Sequence, residues 1–250
     1  MSVRKPVWTI HAAGDRSLVV VFHDDDPAEA NRHASLLARD LQRDMPAGVH
    51  AIVPGMVSVA LHYAPERVLE AAEAATDNAW VSPYKLLVEQ LELRIVQPRH
   101  AQAVRPREVV IPVCYGGEYG PDLEEVAERC QMSPEEVIRL HTQYPVSVFM
   151  LGFSPGHSYI GRFSESLSVG RRSSPRTSVA PGSIGLANRQ SVIYSMPLPA
   201  GWHLIGRTPL TLFDAKRSAP SLLLAGDQVR FVTIEAEEFL QIASEQGDRA

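Results

Sequence analysis

The side chains best suited to chemistry gather in the second half of the chain. Residues 150–159 (MLGFSPGHSY) break an apolar run with a Pro155-Gly156 turn that carries Ser154 and His157. Backbone amides exposed at such a turn can hold an anion, and a hydroxyl or imidazole beside them can deliver a proton. The plainer reading of the same residues is a tight hairpin whose polar groups face water. Arg171, Arg172 and Arg176 follow within six residues, spaced by Ser173, Ser174 and Pro175. Guanidinium forks suit carboxylate or phosphate, although a charge run is more often a solvated loop, or in an acidic chain the contact for an acidic partner. Residues 180–185 (APGSIG) and 201–210 (GWHLIGRTPL) are the densest glycine-aromatic stretches. Trp202 reads either as an anchor at a barrel mouth or interface, or as a core filler beside strands that bend at glycine.

What is missing narrows the chemistry. The sequence has no G-x-x-x-x-G-K-S/T loop, no G-x-G-x-x-G, no H-E-x-x-H and no C-x-x-C, and its nine histidines are scattered. Two cysteines are too few for a disulfide framework or a four-ligand zinc site. Cys130 falls in register with Leu123, Val126 and Ala127 and is expected to face the core, whereas Cys114 beside Tyr115-Gly116-Gly117 is expected to be the more accessible; both read as structural. With 24 Lys and Arg against 29 Asp and Glu, the net charge of −5 offers no general attraction to nucleic acid or anionic lipid. Apolar runs fall far short of the roughly 20 residues that span a bilayer, and the N-terminus lacks the apolar segment of a secretory signal. A cytoplasmic protein with no metal site of its own, no membrane span and no nucleic-acid partner is expected.

The elements that must position these residues follow from periodicity and punctuation. A length of 250 residues allows one large domain or two small ones. Residues 17–22 read as a strand stopped by Asp24-Asp25-Asp26. Asp26 caps a helix with Pro27 at its first position and Glu29 at capping-box spacing; Ala34, Leu37, Ala38, Leu41 and Met45 form its buried stripe. Residues 50–53 and 57–63 read as strands around a Pro54-Gly55 turn. Pro65 opens a helix ending near Thr76, and another helical stretch covers residues 83–91. Residues 94–108, with Pro98 and Pro106, read as a linker. Beyond it come a strand at 111–114, helices at 122–130 and from Ser133 onward, and then eight of the sixteen glycines between residues 145 and 206. That spacing of turn signals suits a β-barrel or sandwich, closed by strands at 210–213, 222–224 and 229–234. The fold class is α+β: a small N-terminal α+β domain over 1–93, a linker over 94–108 and a β domain over 109–250.

Several of these segments together resemble a known family. Residues 111–123 (IPVCYGGEYGPDL), 150–159 (MLGFSPGHSY), 175–177 (PRT), 201–213 (GWHLIGRTPLTLF) and 13–16 (AGDR) are similar, in the expected order, to signatures of the B-type subunits of bacterial 5-oxoprolinase, a group also called allophanate hydrolase subunit 1 or the sporulation kinase-inhibitor family. The resemblance implies that the second domain is a cyclophilin-like β-barrel. It also implies a homologous C-type partner and a third 5-oxoprolinase subunit. With them the chain, inactive alone, would take part in ATP-dependent opening of 5-oxoproline to glutamate, with ATP and its Mg shared with a partner. Alternatives within the family are a regulator that binds and inhibits a sensor histidine kinase, and an allophanate or urea-carboxylase-related subunit.

The sequence departs from the family pattern at His157, where the family has Phe, at Arg162, and across residues 179–202, where several glycines are lost while Gln190, Ile193, Tyr194 and Trp202 remain. Loss of glycine where backbone approaches a ligand narrows a site. On this reading Arg171, Arg172 and Arg176 form the substrate or anion clamp. Ser154, His157, Gln190 and Tyr194 are the candidate catalytic groups that orient substrate or handle protons.

Overall fold

The computed structural model describes residues 6–73, 82–97 and 106–247. The chain forms two compact units, Met1–Arg105 and Pro106–Ala250.

The first unit is a four-stranded antiparallel sheet with helices on one face. Its strands are β1 (Val7–Ala12), β2 (Ser17–His23), β3 (Val49–Pro54) and β4 (Ser58–Tyr63), in the order β1-β2-β4-β3. Leu18, Val20 and Phe22 of β2 and Val59, Leu61 and Tyr63 of β4 alternate into the core, as period-2 patterning requires. The helices are α1 (Pro27–Arg43), α2 (Pro65–Glu73) and α3 (Pro83–Val96). Asp26 caps α1 as expected, its carboxylate accepting from the Ala28 amide at 3.0 Å. Ala34, Leu37, Ala38 and Leu41 are buried, but α1 ends at Arg43, so Met45 lies past the cap and is exposed. Strand β1 has no counterpart in the sequence reading. The expected continuation of α2 to Thr76 lies outside the described residues. Helix α3 runs on to Val96, inside the expected linker, because Arg94 is buried: its guanidinium donates to the Asp44 carboxylate at 2.7 Å and the Asp44 carbonyl at 2.6 Å, with Asp40 at 3.4 Å.

In the second unit, β5 (Glu108–Tyr115), β6 (Val146–Leu151), β7 (Ser158–Gly161), β8 (Arg176–Val179), β9 (Ser183–Ala187), β10 (Gln190–Ile193), β11 (Leu198–Ala200), β12 (His203–Arg207) and β13 (Gln228–Thr233) are joined by α4 (Leu123–Arg129), α5 (Pro134–Thr142) and α6 (Ala236–Gly247). Seven strands close into a barrel in the order β10-β7-β6-β13-β5-β12-β9, and β8 and β11 form a separate two-stranded sheet. Pairing is antiparallel except between β5 and β13. Side chains alternate along the strands: Ile160, Ile184, Leu186, Ile193 and Ile205 fill the barrel, while Tyr159, Val192 and Leu204 belong to a second apolar cluster outside it. Of the expected closing strands only β13 forms. Residues 210–213 and 222–224 bury Leu212 and Leu223 from loops punctuated by Pro209 and Pro220, with a single Phe213–Ser221 bridge.

Helix α5 begins as expected, with Ser133 accepting from the Glu136 amide. It delivers His141 into the core, between Phe163 and Phe231, with Tyr115 Oη and Ser191 Oγ each 2.7 Å from one ring nitrogen. Burial lowers the His141 pKa to about 3, so the ring is neutral and one nitrogen donates while the other accepts. Cys130 packs against the barrel core as expected, but Cys114, expected to be the more accessible, is the more buried of the two. Cys130 is the cap residue after α4 and only half-buried, whereas Cys114 is covered by Ile234 and by Phe239 of α6. Burial raises both thiol pKa values, as suits structural cysteines. Among the described residues no helix is long and apolar enough to cross a membrane.

Candidate active site

The outer face of β7, β10, β9 and β12 is the floor of the site. Where these strands turn their alternate side chains outward they present Tyr159, Val192, Ala187 and Leu204, with Tyr194 just past β10 and Trp202 just before β12. Gly185 lies among them. A Cβ at that position would stand 3.0 Å from Trp202 Cβ and 3.1 Å from Tyr194 Cε2, so its absence lets both aromatic residues settle on the strand. Val179 of β8 and Leu198 and Ala200 of β11 join the same cluster, which makes the small second sheet a flank of the site.

Aromatic rings connect across this face. His157 makes edge contacts with Phe153 at 5.4 Å, Tyr159 at 5.1 Å and Tyr194 at 5.1 Å, and Tyr159 meets Trp202 at 6.1 Å. At the end of the series Arg171 places its guanidinium carbon 5.7 Å from the Trp202 ring centre, a cation–π arrangement. Phe153 is 64% exposed and holds φ at +72°, a left-handed conformation that is strained for a bulky residue. Strain of this kind concentrates at functional sites.

The three arginines do not act alike. Arg176 donates through both terminal nitrogens to the two Asp122 oxygens at 2.8 and 2.7 Å, and Arg172 donates to Asp122 at 2.9 Å and Glu125 at 3.2 Å. Asp122 is nearly buried and also accepts from the Leu204 amide at 2.7 Å. Burial alone would raise its carboxyl pKa. The Arg176 and Leu204 hydrogen bonds and the charges of Arg176 and Arg172 outweigh that, and hold it below the ordinary value. Two of the three expected anion ligands therefore face a carboxylate of their own chain, and Arg171 is left on the aromatic face.

The expected catalytic groups are partly brought together. Tyr194 is buried against His157 and close enough to Arg171 and Arg176 to feel their charge. Burial nonetheless pushes its pKa up to about 12, so its hydroxyl stays protonated. His157 is buried, which lowers its pKa to about 4 and keeps the ring neutral at physiological pH; its Nδ1 has no hydrogen-bond partner among the described residues. The ring occupies the place of an aromatic side chain, in line with the Phe that the family pattern has there. Ser195 Oγ donates to the Pro155 carbonyl at 2.6 Å, so Ser154 is the donor across the 3.2 Å Ser154–Ser195 contact. This pair ties the turn at residues 154–156 to the loop after β10. Gln190 opens β10, opposite Gly161 and Ala187, while Tyr194 follows its other end, about 13 Å away along the strand.

Tyr159, Phe153 and Asp122 received no role from the sequence. The signal for Asp122 was an arginine-rich loop in an acidic chain, which calls for a carboxylate partner. Among the described residues no group of three or more His, Cys, Asp or Glu is placed to hold a metal ion.

Comparison with known proteins agrees with this architecture. Residues 8–223 match the family described as carboxyltransferase domain, subdomain C and D. The chain is 37% identical over 239 residues to the B-type subunit of 5-oxoprolinase from Bacillus subtilis, covering 96% of this chain and 97% of that one. It is 40% identical over 189 residues to the protein of the same name from Escherichia coli O157:H7, covering 76% and 79%. The crystal structure of TTHA0988 superposes with a TM-score of 0.73 at 32% identity over 91% of this chain, which spans only 41% of that longer chain. With a match over most of its length and a relative 37% identical over nearly the whole of both chains, the chain belongs to the carboxyltransferase domain, subdomain C and D, family.

Proposed function

We propose that this chain is one subunit of a 5-oxoprolinase-type hydrolase, and that its aromatic barrel face takes up the small lactam carboxylate. The observation that carries the reading is the 37% identity to a B-type 5-oxoprolinase subunit over almost the whole of both chains. The geometry supports it. 5-Oxoproline is a flat five-membered lactam bearing one carboxylate. Arg171, exposed over Trp202, offers a guanidinium to the carboxylate and half-buried Tyr159 an apolar surface for the ring, while the buried Tyr194 and Trp202 back them. Water adding across the lactam C–N bond gives glutamate.

The residues of this face do not fit ATP. A triphosphate calls for several converging cations or a glycine-rich amide cradle, and Arg172 and Arg176 are committed to Asp122 and Glu125. Nucleotide binding is assigned to the partners, and no step here passes through it. The test mixes this chain with its C-type partner, the third 5-oxoprolinase subunit, ATP and 5-oxoproline, and measures glutamate. Turnover is expected only with the complete set. Equal turnover when this chain is left out would overturn the proposal.

A further inference from the structure

The two edges of the N-terminal sheet are protected unequally. Strand β3 carries a bulge between Val49 and Ala51 and ends in Pro54, both devices that discourage a further strand from pairing. Strand β1 is the opposite edge and has neither. Its sequence VWTIHA is uncharged and rich in β-forming residues, its register with β2 is unbroken, and Val7 is 62% exposed. The Tyr84 hydroxyl donates to the Ile10 carbonyl at 3.3 Å, so that carbonyl points away from β2. By the alternation of an antiparallel ladder, the amide and carbonyl of Trp8 point the same way.

Beside this backbone lies an open groove of about 610 Å³ lined by Trp8, Glu89, Glu92, Leu93, Val96 and Gln97. It exists because α3 is apolar on two sides: Leu87, Leu91 and Ile95 are buried in the core of the first unit, while Leu93 and Val96 are 70% and 60% exposed. A helix that is apolar on both sides is ordinarily covered on both. Glu89 and Glu92 stand on the same groove without a salt bridge among the described residues.

We infer that β1 and α3 form a docking site for an extended segment of a partner protein. The segment adds as a fifth strand along β1, sets an apolar side chain among Trp8, Leu93 and Val96, and directs Lys or Arg to Glu89 and Glu92. Main-chain pairing supplies affinity and the groove supplies selectivity, as in strand addition generally. Charge argues against a second copy of this chain. A two-fold β1–β1 pairing near Trp8 would set two acidic rims side by side, whereas a basic, apolar strand complements them.

The probe is a blocked peptide of alternating lysine and valine, added to the full chain and followed by amide hydrogen exchange and titration calorimetry. Binding should protect the Trp8 and Ile10 amides. Leu93→Lys alters an exposed side chain, so the fold is retained, and it should weaken binding by about tenfold or more. The double change Glu89→Lys with Glu92→Lys should transfer preference to a glutamate–valine peptide. Equal binding of a lysine–serine peptide would overturn the inference, as would protection elsewhere. A dimer of the chain that Leu93→Lys dissociates would assign the face to a second copy instead.

Discussion

Arg176 grips Asp122 through a two-nitrogen fork, and this pair, 54 residues apart in sequence, fixes the loop that carries Arg171. Asp122 is at once bound to the Leu204 amide, so the loop and the start of β12 share one buried carboxylate. Asp122→Asn keeps the shape and removes the charge that both arginines face. The expected loss is about 2–3 kcal/mol of stability, in the range for hydrogen bonds to charged groups, read as a lower midpoint in urea unfolding. Because the folded pKa of Asp122 lies below its unfolded value of 3.8, its contribution is complete above that pH and is lost as pH falls through the folded value. The wild-type chain should therefore lose more stability than Asp122→Asn below about pH 4.

Arg171 is exposed and rests on Trp202 without a carboxylate partner among the described residues. Arg171→Ala should therefore leave thermal stability within about 1 kcal/mol of wild type, the scale of an exposed cation–π contact. In the reconstituted complex it should raise KM for 5-oxoproline about tenfold or more. Arg172→Ala and Arg176→Ala should show the opposite balance, a lower melting temperature with a smaller change in KM for the protein that remains folded. Equal KM effects from all three would mean that the arginines act as one clamp.

How much of this was written in the sequence depends on the range of the interaction. Local signals read well: Asp26 with Pro27 starts α1, Ser133 with Pro134 starts α5, and the glycine spacing after residue 145 announces the barrel. Long-range partners leave only a general signal, an arginine-rich loop that calls for some carboxylate, so nothing distinguishes Arg171 from Arg172 and Arg176 until Asp122 is placed beside the latter two. The floor of the site was hidden for a related reason. Strand β9 is buried on both faces, inside the barrel and under the outer cluster, so it shows no alternation of apolar and polar residues. Strand β1 is hard to read because half of its uncharged residues face away from the core, and the cover over Cys114 comes from helix α6, a long-range partner that local pattern does not announce.

His157 sits among three aromatic rings with a buried Nδ1 that has no hydrogen-bond partner among the described residues, and its folded pKa of about 4 lies below the unfolded 6.5. The neutral ring's contribution is thus complete above 6.5 and falls away as pH drops toward 4. His157→Phe should raise stability by about 1–3 kcal/mol, the cost of an unsatisfied buried polar group. It should also reduce the drop in melting temperature between about pH 7 and about pH 5. If glutamate production by the complex survives this change, His157 serves as an aromatic wall. A loss of kcat with KM unchanged would instead place its imidazole in proton transfer.

Arg94 tests whether α3 is held by charge or by its apolar face. Its side chain is 5% exposed, it donates to the Asp44 carbonyl and carboxylate near the end of α1, and Asp40 beside it is 2% exposed. Coulombic gain in such a place is largely offset by the cost of taking both ions out of water, so the pair adds little net stability over an apolar one. Breaking it from one side is different, because the buried Asp40 carboxylate then loses the Arg94 charge. Arg94→Met should cost the first unit about 3–5 kcal/mol. Arg94→Met combined with Asp40→Leu should recover part of that loss, since the double change also removes the buried carboxylate that Arg94 faces. The check is a double-mutant cycle in urea unfolding, followed through hydrogen exchange of the Leu87 and Leu91 amides on α3. Additive losses from the two substitutions would show that α3 is anchored by Leu87, Leu91 and Ile95 alone, with Arg94 serving only to end α1.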